Sequence, residues 1–200
     1  MKERPYFAAF YEVLSKGEDR MIRRYRAEVA GEARGRVLEI GAGNGLNFSH
    51  YRDAREVVAV EPEPGMLKNA RPRASGAPVP VRLVRGGAEA LPARDGSVDT
   101  VVLSLVMCTV PDPAAVLREV RRVLAPGGEV RFFEHVRSPD PRIARWQDRL
   151  NRPYGFFSGG CNMNRDTLSA LRRAGFAVRY RRLAYGPRFA PHVLGVARLP

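Results

Sequence analysis

Nine residues, Val37 to Gly45, constrain this chain more than any others. Val37 to Ile40 form a short apolar run broken only by Glu39, the pattern of a buried β-strand. Gly41, Gly43 and Gly45 follow at every second position, with Ala42 and Asn44 between them. Glycines this dense after a strand provide unusual φ/ψ and let another group approach the backbone closely. A helix is expected from about Leu46, with its first N–H groups aimed at whatever occupies the turn. The spacing is G-x-G-x-G, not the dinucleotide spacing G-x-G-x-x-G. Glu39 adds an acid beside the turn, which suits a cationic ligand better than a pyrophosphate. Alone, the pattern admits two readings, a tight structural turn and a ligand cradle.

The following segments favour the cradle. Glu56 to Glu61 reads as a second buried strand ending in an acid, with Pro62 after it. In open α/β sheets an acid at this strand end accepts hydrogen bonds from ribose hydroxyls; the competing reading is that Glu61 only caps the next helix. A helix over about 64–71 leads to a strand at Val81 to Val84. Ser97 to Leu105 is a near-continuous apolar strand, as in a parallel sheet covered on both faces. Asp112 and Pro113 open a helix as N-cap and first helical residue, and Glu129 to Val136 is the next strand. This alternation predicts an α/β fold, a doubly wound and mostly parallel sheet, closed at one edge by an antiparallel pair over 176–180 and 192–198. Asn164 is expected to cap a helix through Ala174.

One domain spanning 1–200 is expected. Two amphipathic helices over 6–16 and 18–30 precede the first strand, and residues 1–34 are read as a lid over the ligand or a cover for one sheet edge. Prolines 139, 141 and 153 break the alternation, so residues 137–164 are expected to be an ordered loop beside the substrate with a short helix at 143–150.

Composition limits the function classes. A chain of 200 residues, 44% hydrophobic and 28% charged, supports a sizeable globular core. No apolar run reaches the ~18–20 residues that span a bilayer, and no signal-peptide core follows the charged start, so a cytoplasmic protein without a transmembrane segment is expected. Two cysteines, Cys108 and Cys161, make neither a disulfide framework nor a metal site. The net charge of +13 invites a nucleic-acid reading. The basic residues are spread along the whole chain, however, with no interleaved aromatic platform. A nucleic-acid partner is therefore not expected, while peripheral contact with an anionic membrane stays open.

The glycine turn, Glu61, residues 86–89, Asp95 to Asp99 and Leu124 to Gly128 together resemble the class I S-adenosylmethionine-dependent methyltransferases. Residues 105–110, 134–136, 160–165 and 191–197 look like the mammalian methyltransferase-like thiol S-methyltransferases; a weaker resemblance runs to bacterial phospholipid N-methyltransferases. The thiol enzymes carry an apolar N-terminal anchor, which is not expected in this chain. The resemblance implies a Rossmann-like sheet of seven strands and S-adenosyl-L-methionine as cofactor. It implies cofactor contacts at Glu39, Gly41, Ala42, Gly43, Gly45, Asn47, Glu61, Pro62, Ala88, Glu89, Leu105 and Val106. Gly87 stands where many relatives have an adenine-binding aspartate, so that contact would fall to Glu89 or to backbone. The acceptor is expected to be a small molecule, first a thiol, contacted by Tyr11, Cys108, Cys161 and Asn162. His135, at a strand end, is the candidate base, with a purely supporting hydrogen-bonded role as its alternative. The other function classes are a phosphatidylethanolamine-type N-methyltransferase and a non-catalytic or RNA-associated binding module. No metal site is expected.

Overall fold

The computed structural model describes residue 12, residues 21–184 and residues 189–200. The helix expected over 6–16, including Tyr11 and excepting Glu12, lies outside the described residues, as does the start of the second helix. The first described helix, α1, covers 21–31 and buries Ile22, Tyr25 and Val29.

Among the described residues, seven strands make one sheet: β1 (Gly35–Ile40), β2 (Ala54–Glu61), β3 (Val81–Arg85), β4 (Val98–Ser104), β5 (Leu124–His135), β6 (Ala177–Leu183) and β7 (His192–Arg198). Their order is β3-β2-β1-β4-β5-β7-β6. Strands β3 to β5 pair in parallel across that order, whereas β7 runs antiparallel to both β5 and β6. The doubly wound sheet expected from the sequence is therefore present, with β7 inserted inside it and β6 at the edge. Gly195 permits the insertion: opposite Phe132 in register, a side chain there would run into the Phe132 ring and the Arg179 carbonyl.

The helices are α2 (Pro64–Ser75), α3 (Pro113–Val123), α4 (Pro141–Phe157) and α5 (Thr167–Arg173). Asp112 caps α3 by accepting from the amides of Ala114 and Ala115 at 2.9 and 3.1 Å. Val116, Leu117, Val120 and Val123 of α3 face one core layer with Leu103, Val130 and Phe132. A second layer on the other face of the sheet joins α1 to Val37, Val57, Val102 and Phe133. Arg131 of β5 ties α1 down: it donates to the Val29 carbonyl at 3.2 Å and pairs with Glu32 and Glu129.

Three expectations are corrected. No α-helix follows the glycine turn; a single 3-10 turn, Phe48–His50, connects β1 to β2. Only eight residues separate Gly45 from Ala54, and Phe48 and Tyr51 are both fully buried, so the segment is pinned inward before a helix can propagate. His50, the last residue of the turn, is buried with them. The helix expected at 143–150 is present but longer, since α4 continues through Pro153 on its solvent side, and the segment 137–164 is mostly helix rather than loop. Finally, Asp166 rather than Asn164 caps α5, accepting from the Ser169 amide at 3.0 Å.

Residues 86–97, between β3 and β4, carry no helix. A groove of about 340 Å3, lined by Arg36, Glu56, Val58, Arg82 and Arg94 among others, lies on this side of the sheet. Two side chains of α3 order the crossover instead. Arg122 donates to the carbonyls of Ala93 and Leu91 at 2.8 and 3.1 Å, and Glu119 accepts from the Leu91 amide at 2.8 Å.

Candidate active site

Strand order places the site. The sheet winds outward in opposite directions from β1 and β4, so their C-terminal ends flank the topological switch point, where open α/β sheets hold ligands. The glycine turn leaves β1 at this point, and Leu105 and Val106 leave β4 beside it. Gly41, Gly43 and Gly45 all have positive φ, at 67°, 56° and 82°. Their surroundings differ. A side chain at Gly41 would collide with Val106, and one at Gly45 with the Phe48 ring, whereas a Cβ at Gly43 would meet nothing within 4 Å. Gly43 is thus the glycine that opens onto free space.

Glu61 reaches across from β2 to this turn. Its Oε2 accepts from the Gly43 amide and its Oε1 from the Glu63 amide, both at 2.9 Å. Each oxygen keeps a further lone pair for a hydroxyl donor. Burial raises the Glu61 pKa, against the lowering effect of the two amides. The capping reading of Glu61 is replaced: Glu63 is the N-cap of α2.

Glu39 and Asn47 lie beneath the turn, both 1% exposed. Glu39 accepts from Asn47 Nδ2 at 2.7 Å and from the Tyr51 hydroxyl at 2.8 Å, while Arg26 of α1 donates to Asn47 Oδ1 at 3.2 Å. Burial pushes the Glu39 carboxyl up to about 7 despite these donors. The pair props the turn from below. Above it, Glu12 accepts from Asn44 Nδ2 at 2.7 Å and from Arg73 at 2.6 Å, and Arg73 also donates to the Asn44 carbonyl. The N-terminal segment therefore touches the turn at Glu12. Ala42 is buried, and Pro62 sits half-buried between Glu61 and Glu63.

Ala88 and Glu89 form the next wall, on the crossover held by Arg122. Glu89 Oε1 is buried with no hydrogen-bond partner among the described residues. An unsatisfied buried carboxylate oxygen is costly, and a ligand amino group would satisfy it. The open Gly43, the Glu61 carboxylate and this orphaned oxygen fit the nucleoside cofactor that the resemblance implies.

The remaining wall is built from the ends of β4 and β5 and the segment that follows α4. Leu105 has φ 58°, the only non-glycine residue with positive φ among those described. This left-handed residue turns the chain so that two successive amides, of Val106 and Met107, converge on Glu134 Oε1 at 2.9 and 3.0 Å, an anion-binding nest filled by the protein's own carboxyl. Glu134 is fully buried, its Oε2 has no partner among the described residues, and burial raises its pKa to about 8. The next residue, His135, points the other way along β5. Its Nδ1 lies 3.6 Å from Cys161 Sγ, and its buried Nε2 has no partner among the described residues. The His192 ring, opposite it in register, is 5.3 Å away, and the Tyr154 ring of α4 is 6.4 Å away.

Cys161 and Cys108 are free thiols near one another, and Cys108 Sγ lies 3.7 Å from the Leu105 carbonyl. Asn162 fastens the two segments: its amide and Nδ2 both donate to the Cys108 carbonyl, at 2.8 and 3.0 Å. Asn151 of α4 donates to Asn162 Oδ1 at 3.0 Å. The neighbouring Cys108 and then His135 hold the Cys161 thiol well below the ordinary thiol range, while Cys108 is pushed up. The structure thus brings together Leu105, Val106, Cys108, His135, Cys161 and Asn162; Tyr11 lies outside the described residues. The nest at Glu134 was not read from the sequence, because it depends on a contact 28 residues away and on one unusual φ. Among the described residues, no cluster of three or more His, Cys, Asp or Glu can hold a metal ion.

Comparison with known proteins agrees with this geometry. Residues 38–132 match a methyltransferase-domain family. The chain is 32% identical to human thiol S-methyltransferase TMT1B over 209 aligned residues, covering 96% of this chain and 85% of that protein. It is 36% identical to human thiol S-methyltransferase TMT1A over 145 residues, 70% of this chain and 59% of that one. Among solved structures, the geranyl diphosphate C-methyltransferase of Streptomyces coelicolor, determined with S-adenosyl-L-homocysteine, matches with a TM-score of 0.69 at 17% identity, covering 88% of this chain and 80% of that one. That likeness shows the fold, and the sequence relatives show the family: the chain belongs to the S-adenosylmethionine-dependent methyltransferases, with S-adenosyl-L-methionine as its cofactor.

Proposed function

We propose that this methyltransferase acts on the thiol of a small apolar molecule. The observation that carries the reading is His135, with one ring nitrogen against Cys161 and the other buried and, among the described residues, unpartnered. The cofactor, when bound, supplies a sulfonium methyl group that needs no further activation. The protein's task is to align the acceptor and to present it as a thiolate, the nucleophilic form. With Cys161 ionised, His135 Nδ1 donates to its sulfur, which leaves Nε2 as the proton acceptor. Nε2 takes the S–H proton of the acceptor, and the Cys161 thiolate steadies the imidazolium that results. The apolar residues around Leu105 and Cys108 suit an apolar substituent on the acceptor. Similarity to the human thiol S-methyltransferases supports the same choice. Gly43, Glu61, Ala88 and Glu89 would hold the cofactor.

The test is transfer of labelled methyl from S-adenosyl-L-methionine to a panel of alkyl and aryl thiols, amines and phenols. Thiols are expected to be methylated, and His135→Ala is expected to lower kcat most for thiols of high pKa. Transfer to amines alone, with every thiol inert, would refute the thiol assignment.

A further inference from the structure

Helix α4 has two unlike faces. Its inner face belongs to the acceptor side of the site. Gln147, fully buried, accepts from the Ser138 amide at 2.8 Å and donates to the carbonyls of Met163 and Phe189 at 2.8 and 3.0 Å. Asn151 holds Asn162, and Tyr154 packs edge-on to His135. Its outer face carries large apolar side chains in solvent: Trp146 is 56% exposed, Leu150 46% and Phe156 82%. At 3.6 residues per turn, Trp146, Leu150, Pro153 and Phe156 fall within an outward arc of roughly 120°. Arg142, Arg145, Arg149 and Arg152 lie within and along one margin of that arc, all exposed. Among the described residues none of the four forms an ion pair, and the Arg149 guanidinium stacks over Trp146 at 5.6 Å. The helix's one internal acid, Asp148, is engaged by Arg137 and Asn164.

An apolar strip with a tryptophan, bordered by unpaired arginines, is the composition of a helix that lies in a membrane interface. No helix among the described residues is long and apolar enough to cross a membrane. We propose that the outer face of α4 docks on the surface of an anionic phospholipid bilayer, with Trp146 and Leu150 entering the headgroup region and the arginines meeting lipid phosphates. The net charge of +13 favours the same occupant. Docking would set the acceptor side of the site, one helix thickness away, against the phase in which apolar molecules accumulate. The surface stands independently of which acceptor atom is methylated.

Trp146 is the chain's one tryptophan, so the intact protein reports its own docking. Vesicles of phosphatidylglycerol and phosphatidylcholine should shift its emission to the blue and carry the protein down on centrifugation. Phosphatidylcholine alone should do so far more weakly, and raised salt should release the protein. Replacing Arg145 and Arg149 with glutamine should lower partitioning by about fivefold per residue, and Leu150→Asp should abolish the emission shift. Both changes are on the exposed face, and a circular dichroism spectrum checks that the fold is kept. An unchanged emission with anionic vesicles overturns the proposal. So does full binding by Leu150→Asp, which would mean that charge alone suffices. A blue shift that grows with protein concentration in the absence of lipid would also overturn it, by identifying a second copy of the chain as the occupant.

Discussion

Glu134→Gln separates the two things that the buried carboxyl does. In the folded chain Oε1 binds the amides of Val106 and Met107, while Oε2 has no partner among the described residues. Glutamine keeps an acceptor for both amides and cannot ionise. Burial raises the Glu134 pKa to about 8 from an ordinary 4.5. A carboxyl raised in this way favours the folded state fully below pH 4.5, and that contribution is lost as pH rises through about 8. At about 1.4 kcal/mol per tenfold change in the ionisation constant, the ceiling is ~5 kcal/mol; a compact unfolded state brings the expected loss to roughly 2–5 kcal/mol. Glutamine carries a separate, pH-independent cost for the amide that replaces Oε2, about 1–3 kcal/mol if it is left unpaired. The informative quantity is therefore the stability difference between variant and wild type, followed by urea unfolding from pH 5 to pH 9. Glu39 and Glu61 are also raised by burial, but they are common to both proteins and cancel. Glu134→Gln should be the less stable protein at pH 5 and gain on the wild type by the stated amount at pH 9. Parallel curves across that range would show that Glu134 does not titrate as a buried carboxyl, and the account of the nest would fail.

Three further outcomes are expected. Gly43→Ala has room for its methyl group and should lower stability by only about 1 kcal/mol for its left-handed backbone, yet weaken cofactor binding at least tenfold. Gly41→Ala must displace Val106 and should cost roughly 3 kcal/mol in unfolding measurements; equal effects of the two changes would refute the assignment of Gly43 as the open position. Glu61→Ala should weaken cofactor binding by ~1.5–3 kcal/mol in titration calorimetry, and unchanged affinity would exclude a ribose contact. Iodoacetamide should label Cys161 with a pH midpoint below the ~8.5 of a free thiol, and His135→Ala should move that midpoint upward; a midpoint at or above the free value would remove the Cys161–His135 pairing from the mechanism.

Strands were the legible part of this chain. Val37 to Ile40, Glu56 to Glu61 and Ser97 to Leu105 are apolar because both sheet faces are covered, and runs of that kind survive in one dimension. The 3-10 turn was hidden because Phe48 and Tyr51, three apart, read equally well as one face of a helix; the short distance from Gly45 to Ala54 was the available signal. The second half of helix α4, beyond the expected stretch 143–150, was hidden by Pro153, which normally ends a helix but here sits on the exposed side, where its ring meets solvent. At the site, the residues contributed by a local turn were readable: the three glycines, and Glu61 at a strand end. The contacts that unite Glu134 with Val106, Cys108 with Cys161, and His135 with His192 join segments 28 to 57 residues apart. They follow from strand order and register, which no local pattern encodes.

The insertion of β7 has a consequence for how the molecule comes into being. Strands β1 to β5, with the glycine turn and Glu61, are complete by residue 135 and can assemble as the chain emerges in order. The outer edge of β5 stays unpaired until residues 192–198 arrive, and β6 has no neighbour before then. The donor half of the enzyme is thus buildable early, whereas the half that places His192 beside His135 waits for the last strand in chain order. A chain stopped before residue 192 would keep its cradle and present a bare strand edge, a template for pairing with other chains.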